Sequence, residues 1–202
     1  MQFKILYPLL SICLFLSCDD KQDDFVTAIE QPYQVNEETF KNETTPVIRG
    51  YLDGKIISWN FGFNTFQSTA SNSAYSGITK FWMMYGLNAE NNINNHFRIY
   101  TPEFDIAVPN DFENTFSLGE KRLGEIGPDF NFQIVIDSKT YTSTSGKQGS
   151  FKILRTQQFL DSGTNGSYLR VWFRVKTEIY NNFNGTSKFD GVILAQFYGF
   201  SQ

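Results

Sequence analysis

The sequence predicts an all-β domain, either a jelly-roll-like β-sandwich or a partly closed antiparallel barrel of about ten short strands. Three observations predict it. Apolar or alternating runs of five to ten residues follow one another, punctuated by Gly, Asn, Asp and Ser, and no helical period is sustained. The 202 residues include 21 Phe, 10 Tyr and 3 Trp, 41% are hydrophobic and only 19% are charged, which suits one folded core rather than a disordered chain. Both cysteines, Cys13 and Cys18, fall in the first eighteen residues, so the body of the chain forms no disulfide and no thiolate metal site.

The elements follow in order. Residues 47–52 and 55–61 are strands flanking Asp53-Gly54, a strong signal for a two-residue hairpin. Further strands are expected at 78–85, 96–101, 104–108, 130–136, 140–143, 151–155, 168–179 and 191–200, with Asn184-Gly185 turning the chain before the last. Residues 67–76 and 88–95 are rich in Asn and Ser and read as loops, and 31–45 holds one helical turn at most. Side chains alternate across a strand, so Ile57, Trp59, Phe61 and Phe63 share one face, and Phe130, Phe132, Ile134 and Ile136 share another. Both sets read as core, which makes Trp59 a packing residue.

The first residues carry an address. Lys4 is the one charge before ILYPLLSICLFL (5–16), an apolar stretch too short for a bilayer, which needs about 20 residues. Leu16-Ser17-Cys18 then sets a small residue before a cysteine, an order that resembles a bacterial lipoprotein signal. The resemblance implies that residues 1–17 are removed and that Cys18 becomes an acylated first residue; Cys13, preceded by Ile12, fits less well. The run Asp19-Asp20-Lys21-Gln22-Asp23-Asp24 resembles the surface-export signal of Bacteroidota lipoproteins and implies the outer face of the outer membrane. The residues themselves also allow an ordinary secretory signal or an uncleaved anchor, and acids that merely solvate a tether.

Charge separates that tether from the domain. Between Asp19 and Glu43, eight acids stand against Lys21 and Lys41, a net of −6, whereas Thr44 to Gln202 holds 13 acids and 14 bases, a net of +1. Three parts are therefore expected: a signal at 1–17, a lipidated acidic spacer at 18–45, and a single all-β domain at 46–202. No bulk field recruits nucleic acid to a near-neutral domain. Tyr51-Leu52-Asp53-Gly54-Lys55-Ile56-Ile57-Ser58-Trp59 resembles the opening hairpin of small uncharacterised Bacteroidota lipoprotein domains. Tyr141-Thr142-Ser143 with Gly149-Ser150-Phe151 is similar to their middle hairpin, and 189–200 to their closing strand. That resemblance lends no activity.

Catalytic patterns are sparse. His96 is the single histidine, no Gly-x-Ser-x-Gly occurs, and Gly54-Lys55 and Gly146-Lys147 lack the Ser or Thr of a phosphate loop. No cofactor is expected. Glu103 and Asp105 stand two apart on a predicted strand, and Asp111 and Glu113 repeat the spacing. Such pairs serve glycoside hydrolases or calcium, or are simply solvated acids, the last being the favoured reading.

Alternation is clearest in 168–179. Leu169, Val171, Phe173, Val175 and Ile179 point to the core; Tyr168, Arg170, Trp172, Arg174 and Lys176 point away. A tryptophan among cations on a solvent face needs a cover. Arginine stacking within the sheet is the first expectation, and a bound glycan is the functional one, its ring on Trp172 and its hydroxyls or acid groups on the guanidiniums. Trp82, with Lys80 and Met84, extends this platform if the strands are neighbours. The reading that follows is a noncatalytic surface lipoprotein, held to the membrane by lipid and binding a glycan. The alternative is an accessory protein that docks on an outer-membrane or envelope protein through a flat aromatic patch.

Overall fold

The structure is a computed structural model and describes residues 35–60, 67–71, 79–89, 92–143, 149–161, 166–182 and 185–198. A short helix, α1 (Glu37–Phe40), is capped by the Asn36 side chain, which accepts from the Thr39 amide at 3.0 Å. Two hairpin strands follow, β1 (Val47–Leu52) and β2 (Lys55–Asn60), then β3 (Gln67–Ser71), β4 (Lys80–Ala89), β5 (Asn92–Tyr100) and a two-residue β6 (Phe104–Asp105). After α2 (Asp111–Thr115) come β7 (Gly119–Glu120), β8 (Asn131–Ile136) and β9 (Lys139–Thr142). Three long strands complete the chain: β10 (Gly149–Asp161), β11 (Gly166–Asn181) and β12 (Gly185–Tyr198).

Hydrogen bonding runs β2-β1-β12-β11-β9-β8-β5-β4-β3, with β10 also on β11, and every ladder between these strands is antiparallel. The path does not close, since β2 and β3 are its two ends. The long strand β11 is the pivot: β12 covers one edge throughout, while β10 takes the other edge up to Thr177 and β9 takes it at Tyr180 and Asn181. Rings from segments that are not hydrogen-bonded neighbours then meet across the interior, Phe132 with Phe189 at 5.7 Å, Phe130, just before β8, with Phe173 at 5.8 Å and Tyr85 with Phe197 at 6.1 Å. The two halves of the folded path thus face one another over an aromatic core, and the fold is all-β and sandwich-like.

The inward set on β11 is as expected: Leu169, Val171, Phe173, Val175 and Ile179 are all buried in the central cluster. Trp59 is half-buried and packs on that cluster, while Phe61 and Phe63 lie outside the described residues. Several element assignments change. Gln67–Ser71, expected as loop, is a strand because β4 offers it a ladder, and of the 88–95 loop, residues 88–89 belong to β4 and 92–95 to β5. Residues 104–108 form only two residues of strand before turning into α2. The strand expected at 151–155 runs on to Asp161, past a bulge between Ile153 and Arg155 that breaks the alternation.

The largest correction concerns the spacer expected at 18–45. Its last eleven residues belong to the domain, whose compact unit begins at Val35. Phe40 is buried against Val47, Trp172, Val192 and Leu194, a second cluster on the outer face of the sheet, and Val35 and Leu154 pack around it. Phe40 is the apolar anchor that makes this segment dock despite its acids.

Candidate functional site

The outward face of β10, β11 and β12 is organised in cross-strand rows. Register places Arg155, Trp172 and Leu194 in one row, Gln157, Arg170 and Gln196 in the next, and Phe159 and Tyr168 in a third. The first row is covered by the chain itself. Trp172 is fully buried, its indole Nε1 donates to the Glu43 carbonyl at 3.0 Å, and the Arg155 guanidinium lies 4.8 Å from its ring. Arg155 also donates to the Lys41 carbonyl at 2.8 Å. The sugar-stacking role expected of Trp172 is therefore corrected, because the arm carrying α1 occupies the place of the sugar. An arginine does stack on it, from β10 rather than from its own strand.

The neighbouring cations hold the same arm. Arg174 ion-pairs with Asp190 and donates to the Gly191 carbonyl at 2.9 Å, and its Nε lies 3.8 Å from Glu37. Lys152 reaches Glu37 at 3.0 Å, and Arg49 reaches Glu43 at 2.6 Å. Arg174 is thus spent on the fold, while Lys176, one row further, stays exposed. Trp82 does not extend this face: its strand pairs with β3 and β5, and its ring tilts against Tyr100 at 5.9 Å.

Beyond the arm, Gln157 is exposed and Phe159, Tyr168, Arg170 and Gln196 are half-buried. Phe159 and Tyr168 stack at 5.3 Å with planes 16° apart, and the Arg170 guanidinium lies 4.2 Å from the Phe159 ring. Arg170 Nε donates to Gln196 at 3.4 Å. Partial burial, then the nearby Arg155, lower the pKa of Arg170, though a guanidinium still carries its charge in water. Two rings, one cation and the amides of Gln157 and Gln196 therefore share one surface. Sequence alternation places Tyr168 and Arg170 on this face but not Phe159 and Gln157, because the bulge at Leu154 shifts β10 by one residue; pairing each half of 149–161 separately would have placed them there too.

The acidic pairs come together only in part. Glu103, Asp105 and Asp111 line an open cleft of about 530 Å³ with Lys80, whereas Glu113 is exposed outside it. Asp111 accepts from the Asp105 amide at 2.7 Å and Asp105 from the Ala107 amide at 2.9 Å, so both carboxylates fix the turn into α2. Hydrogen bonds from the Thr79 side chain and the Ala107 amide lower the pKa of Asp105, opposite to what a glycosidase acid needs. Among the described residues, no three His, Cys, Asp or Glu side chains are placed to hold a metal ion. His96, expected as the first residue of a strand, sits within β5 opposite Val135.

Comparison with known proteins returns no relative: no family model, no curated protein and no solved structure matches this chain. Among the described residues, no helix is long and apolar enough to cross a membrane. Cys18 lies outside the described residues.

Proposed function

We propose that this chain is a noncatalytic, lipid-anchored surface protein that binds a glycan on the rows of β10, β11 and β12 beyond the arm. One observation carries the reading: Phe159 orders both of its neighbours, Tyr168 by stacking and Arg170 from over the ring, beside the amides of Gln157 and Gln196. Sugar C–H faces pack on aromatic carbon while hydroxyls bond amides and guanidinium, and ordering these groups beforehand lowers the entropy lost on binding. The Leu16-Ser17-Cys18 order supports the anchor, at about 0.8 kcal/mol per buried acyl methylene, and the acidic run after Cys18 supports export to the cell surface.

A glycan array probed with the wild type, Tyr168→Ala and Arg170→Ala tests it. The expected result is a wild-type signal that falls at least tenfold in both variants; a signal that neither variant changes refutes the reading. Mass spectrometry of membrane-extracted protein tests the anchor, which requires an acylated Cys18 at the N-terminus. A second reading, an accessory protein docked on an envelope complex, is favoured by the rows lying on a sheet face rather than in a cleft. Cross-linking from residue 159 in intact cells, with no array signal, would select it.

A further inference from the structure

Two hairpin turns from opposite halves of the sandwich flank a cleft of about 260 Å³. One turn joins β1 to β2 and the other joins β8 to β9. Leu52 and Ile57 are buried at its base, and Ile136 and Tyr141 pack against the central core, so the floor is apolar. The lining carries both signs of charge: Asp53 and Lys55 come from the first turn, Asp137 and Lys139 from the second.

Both turns are held from outside the cleft. Asp53 and Lys188 exchange two hydrogen bonds, the Asp53 amide to the Lys188 carbonyl at 2.9 Å and the Lys188 amide to Asp53 Oδ1 at 2.8 Å. The Asp137 amide donates to Asn95 at 2.8 Å, and the Thr140 amide to Asn182 at 3.2 Å. Asp53, Asp137 and Ser138 all adopt positive φ, at 51°, 49° and 65°. Ser138 occupies a position where glycine would be free of strain. Burial, then the charges of Asp53 and Asp137, raise the pKa of the Tyr141 phenol, and all three residues line the cleft.

The geometry points to a binding site for one neutral, hydroxyl-rich ring, the size of a single sugar residue, between the β1–β2 and β8–β9 turns. Size and charge decide the class. The cleft falls just below the range of about 300 to 1,000 Å³ that suits drug-sized ligands, so it takes one ring and not a chain. An anion would meet two carboxylates and a cation two ammonium groups. A neutral polyol meets acceptors and donors in turn, while its C–H face lies on the Ile and Tyr floor. The choice of a sugar rests on the glycan reading above, but the residues are separate from the β10–β12 rows.

Saturation-transfer NMR of the full chain in detergent tests this, with methyl glycosides of neutral hexoses as probes and methyl glucuronide and methyl glucosaminide as charged comparisons. The expected result is saturation of a neutral hexoside with a dissociation constant near 1 mM, at least fivefold weaker in Tyr141→Phe and in Lys139→Ala and unchanged in Glu38→Ala. Circular dichroism confirms that each variant folds. Absence of any neutral-hexoside signal, charged sugars binding as well, or undiminished binding by both cleft variants would overturn the assignment. Array glycans lost with Tyr168→Ala but no hexoside in the cleft sink this inference alone; hexoside binding without a Tyr168-dependent array signal sinks the row reading alone.

Discussion

Phe40→Ala separates a docked arm from a spacer. Phe40 is 3% exposed, and it closes the outer cluster of Val47, Trp172, Val192 and Leu194. Removing a buried phenylalanine side chain costs about 3 to 5 kcal/mol. For a domain of this length, each kcal/mol moves the melting temperature by about 2 to 4 °C, so a fall of about 6 to 20 °C is expected. If the arm lifts off instead of leaving a hole, the loss is capped at the docking energy of the arm and sits at the low end. Trp172 then meets water and Lys41 becomes a tryptic site. Thermal unfolding, tryptophan emission and a timed trypsin digest of the full chain read these effects, with Glu38→Ala, whose side chain is 82% exposed, as the comparison. A substitution in an undocked spacer changes stability by no more than about 0.5 kcal/mol. A melting shift under about 1 °C, with Lys41 cut equally fast in wild type and variant, would therefore refute the docked arm.

Gly50→Ala should destabilise the domain by about 1 to 3 kcal/mol, because a Cβ there runs into the Asp190 carbonyl and the Gly191 Cα of β12; denaturant melts check it, and wild-type stability would mean that β1 and β12 are not so close. Burial pushes the Tyr85 phenol well above the ordinary value of about 10, so its contribution to stability is complete below that pH and is lost as pH rises toward the folded value. Ultraviolet titration should show Tyr85 silent until the domain unfolds, and a Tyr85→Phe variant should lose less stability between about pH 10 and 12. Asp105 has the opposite sign: its lowered pKa adds stability above about pH 4 that is lost as pH falls, so Asp105→Asn should flatten the acid side of the melting-temperature profile.

The features of this fold that sequence makes legible are those set by near neighbours in the chain. Asp53-Gly54 specifies its own turn, and the alternation of 168–179 names the inward face of β11 without reference to any partner. What stays hidden depends on a second strand. Gln67–Ser71 has the composition of a loop and becomes a strand because β4 presents a free edge there, and the continuation of β10 is masked by the extra residue at Leu154. The turn at Asp137-Ser138 carries no glycine, so its positive φ values could not be anticipated from turn chemistry.

The outer face shows the same division in the candidate site. Alternation correctly sends Trp172 outward, yet outward means only away from the core, and whether that surface meets water is decided by whatever else the chain has to lay on it. Eleven residues that look like acidic linker carry one phenylalanine, and that ring finds the one outward tryptophan of the longest strand. The acids then serve the docking, since Glu37 and Glu43 meet Lys152, Arg174 and Arg49, cations the same alternation sends to the same face. The charge that marks a spacer by composition is complementary to the sheet it covers. The surface proposed to take a ligand begins where this complementarity ends, at Arg170, the outward arginine that turns to Gln196 and Phe159 rather than to the arm.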